Sequence, residues 1–277
     1  MRLAAAGCGM SAELLVQRDG GVTTLTLNRP ERLNALNGAM LGQLRDALDA
    51  ERTSASRVLV LRGAGRAFCA GHDLSPDADE VVEPGDAVTD RDRQAAYIDL
   101  FFRIWDHPKP VIAAVHGYCM AGATQLATFC DFVVVADDAV VSASPVLPLG
   151  GGFISPLLAY RVGASRAKLL SFVPGYRISG LEAAAWGWAI RAVPAQDLDE
   201  SVRALAAAMA RTPASVLRMK KVAVNRVLEL QGFRSVAYMG AETDVVVHGT
   251  DAVGSIKAAV QERGLKEAIA AFERGEL

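Results

Sequence analysis

Hydrophobic and polar residues follow a strand-like alternation at the start of the chain. Residues 14–18 and Val22–Leu27 alternate on either side of Asp19-Gly20-Gly21, a pattern typical of a β-hairpin. Three later runs are continuously apolar and of strand length, and segments with helical spacing accompany them. The apolar runs are 58–61, Val111–Val115 and Phe132–Ala136, and the helical segments are 41–48, 93–105 and 122–129. Repeated strand–helix units of this kind predict a parallel sheet with right-handed crossovers.

The last part of the chain, after residue 160, has helical spacing throughout. Breaks at Thr212-Pro213 and Arg263-Gly264 separate successive segments, as Pro and Gly normally do. Helices are predicted at 165–172, 180–188, 198–211, 213–230, 233–246, 251–262 and 265–274. Residues 75–92 differ, because they are rich in Asp, Glu, Pro and Gly and poor in apolar anchors. They are interpreted as a mobile surface loop, either a solvated insertion without a chemical role or a lid.

Composition narrows the possible functions further. The chain has 277 residues, of which 51% are hydrophobic and 22% charged, with a net charge of −2. This size allows one large domain, and the lack of positive charge argues against nucleic-acid binding. Gly, Pro and His interrupt the long uncharged windows 110–130 and 139–160, so neither is expected to span a membrane. The four cysteines lack metal-ligand spacing, and we predict reduced thiols and no metal site.

Candidate chemistry lies where two of the buried strands end. Residues 63–74 follow the first apolar run and contain Gly63, Gly65 and Gly71, which let bare backbone approach a ligand. Residues 116–123 follow the second, and they place Gly122 at the start of a predicted helix, where unpaired amides favour negative charge. Two such turns supply what a two-donor oxyanion hole requires. The alternative is a pair of tight connections without a ligand.

Four segments resemble the enoyl-CoA hydratase/isomerase (crotonase) family, in register from about residue 14 to the C-terminal helices. They are residues 28–36, 65–74, 109–117 and 121–123. The resemblance implies an α/β, crotonase-like (ClpP/crotonase) spiral of ββα units. It also implies a core over 13–196, a C-terminal helical trimerisation region over 197–277 and a homotrimer or dimer of trimers. Residues 1–12 are expected to be disordered, with Met10 as an alternative start.

The resemblance assigns roles to particular residues. The backbone amides of His72 and Gly122 would form the oxyanion hole, with the His72 imidazole either a proton-transfer group or a bystander. The positions implied for substrate and coenzyme A binding are Arg32, Ala70, Gly71, Asp73 and Leu74. Coenzyme A would enter as part of an acyl-CoA substrate, with no tightly bound cofactor and a cytoplasmic location. Lys257 or Lys266 could reach the coenzyme A of a neighbouring subunit.

Two positions depart from the pattern of the hydratases. Their two catalytic glutamates match Gln125 and Val146 here, and neither side chain can serve as a general base. Water addition to an enoyl double bond is therefore in doubt, although Gln125 could still orient a water or a substrate carbonyl. An acid from residues 77–92 is a possible substitute. The alternatives are a decarboxylase of malonyl-type acyl-CoA, which needs no base, and a non-catalytic acyl-CoA-binding protein.

Overall fold

Five strands of the main sheet are the ones that the sequence predicts, and a sixth, at Arg191–Val193, is not predicted. Six strands lie in the order β1 (Leu14–Asp19), β2 (Val22–Leu27), β3 (Val58–Gly63), β5 (Val111–Val115), β7 (Phe132–Ala136) and β10 (Arg191–Val193). β1 and β2 pair as the predicted antiparallel hairpin, and the other neighbours are parallel. The computed structural model describes residues 12–75, 86–144, 146–150 and 153–277, apart from the side chain of Ile154.

A second, smaller sheet lies at the ends of the main strands. Its order is β4 (Ala67–Cys69), β6 (Tyr118–Met120), β8 (Val140–Ser142) and β9 (Ile178–Ser179). β3, β5 and β7 are each followed by one of these short strands and then by a helix, so the chain repeats a ββα unit. At Gly117, where φ is 55°, a Cβ would overlap the Arg66 carbonyl, so only glycine fits this crossing. The predicted crotonase-like α/β spiral is confirmed.

Most helices agree with the helical spacing of the sequence, but the helix at Ile154–Val162 lies in a window where none is predicted. They are α1 (Gly38–Glu51), α2 (Ala87–Trp105), α3 (Gly122–Thr128), α4 (Ile154–Val162), α5 (Ala164–Phe172), α6 (Gly180–Ala185), α7 (Leu198–Ala210), α8 (Ala214–Leu230), α9 (Phe233–His248), α10 (Asp251–Arg263) and α11 (Leu265–Glu273). α7 packs on the main sheet, while α9 packs on α2 and α4. The division at residue 197 stays a prediction. Within the described residues, no helix has both the length and the apolarity to cross a membrane.

The acidic segment 75–92 is only partly the surface loop that the sequence predicts. α2 begins at Ala87, six residues before the predicted start, because the Asp86 side chain accepts a hydrogen bond from the Thr89 amide and caps the helix. The loop interpretation is therefore wrong for residues 87–92, which are helical. Most of them are exposed, but Asp90 is 4% exposed and ion-paired. Residues 76–85 lie outside the described residues, as do residues 1–11 of the predicted disordered start.

A second, small core holds the loop after β8. Leu147 is buried against Ile256, Ala259 and Ala268, which belong to the last two helices. Residue 146, the position that matches the second hydratase glutamate, directly precedes Leu147. α10 and α11 of the same chain therefore fix the loop that carries this position.

A buried ion pair ties α8 to the sheet. Asp131 accepts hydrogen bonds from Lys221 Nζ at 2.8 Å and from the Val111 amide at 2.7 Å, and Lys221 also donates to the Ile104 carbonyl at 3.0 Å. Lys221 is 8% exposed, although it lies on a helix whose other residues are more exposed. The pair joins the start of β5 to α8 where no apolar contact could satisfy the Asp131 carboxylate.

We predict that Lys221→Met lowers the free energy of unfolding by about 3–5 kcal/mol, because it leaves a buried carboxylate without its cation. Lys220→Met, on the exposed face one residue earlier, is the matched control and should change stability by less than about 0.5 kcal/mol. Urea unfolding followed by circular dichroism measures both. Equal losses in the two variants would contradict a stabilising role for the pair.

Candidate functional site

The first turn of the site follows β4 and is held by a single residue of a distant loop. The Leu36 amide donates to the Gly71 carbonyl at 2.8 Å, and the Asp73 amide donates to the Leu36 carbonyl at 2.8 Å. This is a one-residue parallel bridge between Leu36 and His72. In such a bridge the flanking groups make the bonds, so the amide of His72 itself points away from Leu36.

A buried asparagine fixes the same loop to the end of β3. Asn34 is 0% exposed, and its side-chain amide donates to the carbonyls of Ala64 and Ala67, each at 2.8 Å. Its side-chain oxygen accepts from the Arg29 amide at 2.9 Å. Because these acceptors lie on both sides of the Gly65 turn, Asn34 clamps that turn closed. No role is predicted for Asn34 from the sequence, although its position between apolar residues in a loop is the signal that could have suggested one.

Asp73 is an anchor of the first turn. Its carboxylate accepts from Arg29 Nη1 at 2.9 Å and from the Ser75 amide at 3.0 Å. Burial alone would raise the pKa of Asp73, but the hydrogen bonds of Ser75 and the charge of Arg29 hold the pKa below its usual value. The group is thus a carboxylate at neutral pH, and it fixes the backbone that follows His72. Its predicted part in substrate binding stays a prediction.

The second turn lies between β6 and α3. The Ala121 amide donates to the Ser142 carbonyl at 2.7 Å, which ties this turn to β8. Ala121 has φ 46° and ψ −117°, a conformation that is normally left to glycine. Gly122 is the first residue of α3, so its amide has no acceptor within the helix.

The two turns meet at their glycines. A Cβ added to Gly71 would lie 3.2 Å from the Gly122 nitrogen and 2.9 Å from the Met120 carbonyl oxygen. A Cβ added to Gly122 would lie 2.6 Å from the His72 ring. In the described part of the chain, neither the His72 amide nor the Gly122 amide donates a hydrogen bond. Two adjacent backbone donors are therefore left for an external acceptor.

The imidazole of His72 packs beside these donors. Its ring centroid lies 4.5 Å from that of Tyr97, and its Nδ1 atom is buried without a hydrogen-bond partner among the described residues. Burial, and then the charge of Arg93, lower the pKa of His72 to about 4, and the neighbouring Gln125 side chain opposes the shift. The ring is therefore neutral at neutral pH.

Gln125 lies on α3, one turn after Gly122, and faces the same space. It is 8% exposed, and its Oε1 atom is buried without a partner in the described part of the chain. Buried polar atoms are nearly always hydrogen-bonded, so an unpaired pair of such atoms indicates a place for a polar group from outside. The structure thus brings His72, Gly122 and Gln125 together at one point.

The remaining predicted site residues lie around this point at different depths. Val146 is half-buried, and a Cβ added to Gly175 would lie 2.9 Å from its Cγ2 atom. Pro145, before it, lies outside the described residues. Arg32 is exposed and makes no ion pair with the described residues, while Leu74 is 46% exposed and the Ala70 amide donates to the Leu33 carbonyl at 3.0 Å.

The two lysines named as candidates for a neighbour's coenzyme A differ in setting. Burial lowers the pKa of Lys257, and the charge of Asp90 in its own chain opposes this shift. Lys266 is exposed. No group of three or more potential metal ligands occurs in the described residues.

Comparisons with known proteins agree with this geometry. The sequence profile described as enoyl-CoA hydratase/isomerase matches residues 17–261. The 1,2-epoxyphenylacetyl-CoA isomerase of Escherichia coli K12 is 37% identical over 76% of this chain and 81% of its own length. The 2,3-dehydroadipyl-CoA hydratase of the same organism is 34% identical over 79% and 84%. A solved enoyl-CoA hydratase/isomerase from Xanthobacter autotrophicus Py2 has a TM-score of 0.87 at 32% identity, covering 94% of this chain and 97% of that one.

We predict that Ala121→Gly raises the free energy of unfolding by about 1 kcal/mol, because it removes the cost of a positive φ at a residue with a Cβ. Ala123→Gly is the matched control in the same short helix, where ordinary helical geometry makes glycine unfavourable by about 1 kcal/mol. Thermal and urea unfolding of both variants measure the two effects. Destabilisation by both substitutions would show that Ala121 is not strained.

Proposed function

The chain belongs to the enoyl-CoA hydratase/isomerase family, and from this premise we propose that it stabilises a thioester enolate with the amides of His72 and Gly122. It is a crotonase-family acyl-CoA enzyme of the hydratase/isomerase class. The observation that carries the proposal is the contact between the two turns, which leaves these amides side by side without acceptors. We propose no resident cofactor, since coenzyme A enters with the substrate.

The chemical reason lies in where charge develops. When an acyl-CoA forms an enolate, negative charge gathers on the thioester oxygen, and two fixed N–H donors stabilise it. Loss of one donor from such a hole costs about 2.7–4 kcal/mol of transition-state stabilisation. Because both donors here are backbone groups held by Leu36 and by the start of α3, their positions depend on the fold and not on side-chain rotamers.

Among the reactions of the class, we propose an isomerisation before a hydration. Hydration needs one carboxylate to activate the water and another to protonate the substrate carbon. Gln125 and Val146, at the positions where the hydratases carry glutamate, can do neither. An isomerase has only to take one proton and return it. The relative named 1,2-epoxyphenylacetyl-CoA isomerase supports this order, since it is 37% identical to the chain.

Decarboxylation of a malonyl-type acyl-CoA is the second candidate, and one observation favours it. The charge of Arg93 lowers the pKa of His72, so a guanidinium lies within electrostatic reach of the oxyanion hole. A cation there would attract a substrate carboxylate. Loss of carbon dioxide leaves its electron pair on the enolate, so no base is required. The third candidate is acyl-CoA binding without turnover.

For coenzyme A itself we propose contacts with the first loop. Arg32 is exposed next to the buried Asn34 and is available for a phosphate group through a charge-assisted hydrogen bond. The backbone near Ala70 and the exposed Leu74 would receive the pantetheine and adenine portions.

The experiment for the reaction uses three defined thioesters. We expect the protein to incorporate deuterium from D₂O into crotonyl-CoA without net hydration and to release no carbon dioxide from malonyl-CoA. Gly71→Ala should lower kcat/KM for exchange by about 10²–10³-fold, because its Cβ would press on the Gly122 nitrogen. Mass spectrometry of the thioester measures exchange.

Gly42→Ala is the control, since a Cβ there would meet only the end of the Arg45 side chain at 3.9 Å. Carbon dioxide release from malonyl-CoA would favour the second candidate. Binding of acetoacetyl-CoA without turnover of any thioester would indicate the non-catalytic alternative. Failure to bind any of the three would overturn the proposal as a whole.

We also propose that the chain assembles as a homotrimer or a dimer of trimers through α8. Val216, Met219, Ala223, Val227 and Leu230 recur at intervals of three and four residues, so they share one face of this helix. All five are exposed, with Met219 at 60% and Leu230 at 90%. An apolar stripe of this length on a helix is typical of a face that another surface covers.

We predict that Met219→Glu combined with Val227→Glu reduces the mass in solution to that of one chain, 29.3 kDa. The unaltered protein is expected to contain three or six chains. The variant should dissociate because burial of a carboxylate in the stripe would cost more free energy than the contact gains. Light scattering after size-exclusion chromatography gives the mass. Val88→Glu, an exposed apolar residue on α2, is the control, and a monomeric unaltered protein would contradict the proposal.

A further inference from the structure

A carboxylate and an imidazole form a buried pair beside the site. Asp90 lies in the first turn of α2, and its Oδ2 atom is 2.7 Å from Nδ1 of His248, in the last turn of α9. The other carboxylate oxygen accepts from Arg93 at 2.7 Å. The side chain of Asp90 is 6% exposed and that of His248 14% exposed. Neither residue is used by the reaction as described so far.

The pairing determines which nitrogen of His248 carries the proton. Burial would raise the pKa of Asp90, but hydrogen bonds from His248 and Arg93 and their charges hold the pKa below its usual value. Asp90 is therefore ionised and can only accept, so the hydrogen lies on Nδ1 of the ring. In the neutral imidazole, Nε2 then has a free lone pair. This is the arrangement in which a carboxylate orients a histidine as a general base.

Nε2 of His248 faces the loop in which Val146 stands at the position of the second hydratase glutamate. A Cβ added to Gly150 would lie 3.3 Å from His248 Nε2 and 3.1 Å from Asp244 Oδ1. Gly150 belongs to the same short loop as Val146, the position that matches the second hydratase glutamate. Asp244 also accepts from the Phe153 amide at 3.1 Å and so holds the end of this loop.

Arg93 connects the pair with the oxyanion hole. Its guanidinium binds Asp90, and its charge is the second cause of the low pKa of His72. The charged groups around the His248 ring come from three helices: Asp90 and Arg93 on α2, Asp244 on α9 and Lys257 on α10. Two positively and two negatively charged side chains therefore lie around the imidazole.

We propose that His248, oriented by Asp90, is the proton-transfer group at the far end of the acyl pocket and replaces the acid missing at Val146. The proposal rests on the proposed function and names the group that it leaves open. His248 is the catalytic residue, because it would touch the acyl carbon, and Asp90 is a positioning residue that acts through it.

The proton and electron balance is simple. Nε2 of neutral His248 takes a proton from a carbon of the acyl chain conjugated with the thioester, and the electron pair of the C–H bond moves into the conjugated system. The negative charge arrives on the thioester oxygen, between the amides of His72 and Gly122. The imidazolium, paired with Asp90, then returns a proton to carbon, and no further reactant is consumed.

The test measures exchange at the γ-carbon of crotonyl-CoA in D₂O by mass spectrometry and proton NMR. We expect exchange by the unaltered protein. In His248→Gln the exchange rate should fall by at least about 10²-fold, because glutamine keeps a hydrogen bond to Asp90 but cannot take a proton. Calorimetric binding of acetoacetyl-CoA should be unchanged in this variant. In His248→Ala, added imidazole should restore exchange, which a purely structural role of His248 would not allow.

Asp90→Asn should lower the exchange rate as well, because an amide can donate to Nδ1 and place the ring hydrogen on Nε2. Glu242→Gln, the same carboxylate-to-amide change on the exposed face of α9, is the matched control. Exchange by His248→Gln at the unaltered rate overturns the role of His248, as does absence of γ-exchange in a protein that binds acetoacetyl-CoA. Absence of any thioester binding points instead to failure of the proposed function.

Discussion

The candidate site depends on a backbone contact that excludes side chains. Gly71 and Gly122 approach each other so closely that a Cβ on either would press on a neighbouring nitrogen or ring. Peptide groups from two separate strand–turn units can reach one point only under this condition. Asn34 and Leu36 hold one side of the contact, and Ser142 holds the other through the Ala121 amide. The positive φ of Ala121 is the conformational cost of aiming the Gly122 amide.

The electrostatic character of the site follows from what surrounds this contact. His72 is neutral because burial and Arg93 both disfavour its cation, and Gln125 cannot ionise. Charged groups lie farther out, where Asp90 binds both Arg93 and His248. Because His72 and Gln125 carry no charge, the proposed enolate would be stabilised by oriented dipoles without a cation in direct contact. Such a site suits an enolate that must form and disappear within one turnover.

The sequence predicts five of the six strands of the main sheet and most helices, because apolar runs, alternation and helical periodicity determine them locally; the sixth strand, β10, has only three residues and no such pattern. The second sheet escapes prediction, since strands such as Ala67–Cys69 and Ile178–Ser179 are too short for any periodicity. The two glycine turns and the substitutions at Gln125 and Val146 are visible from motifs alone. The pair of Asp90 and His248 is not, because the two residues are 158 positions apart and Asp90 lies in a segment whose composition is typical of a loop.

The division of labour between backbone and side chains explains how one scaffold can accept changed acids. In the proposed function, charge on the thioester oxygen is stabilised by amides whose positions the fold determines, and substitution at residue 125 or 146 would not move them. Proton transfer is met by side chains, which any element bordering the acyl pocket can supply. The loop from Val146 to Gly150 borders α9, α10 and α11. A helix from the C-terminal region is therefore as well placed as the loop itself to present a base. The relatives include both an isomerase and a hydratase of acyl-CoA, as expected if proton transfer varies around a constant oxyanion hole.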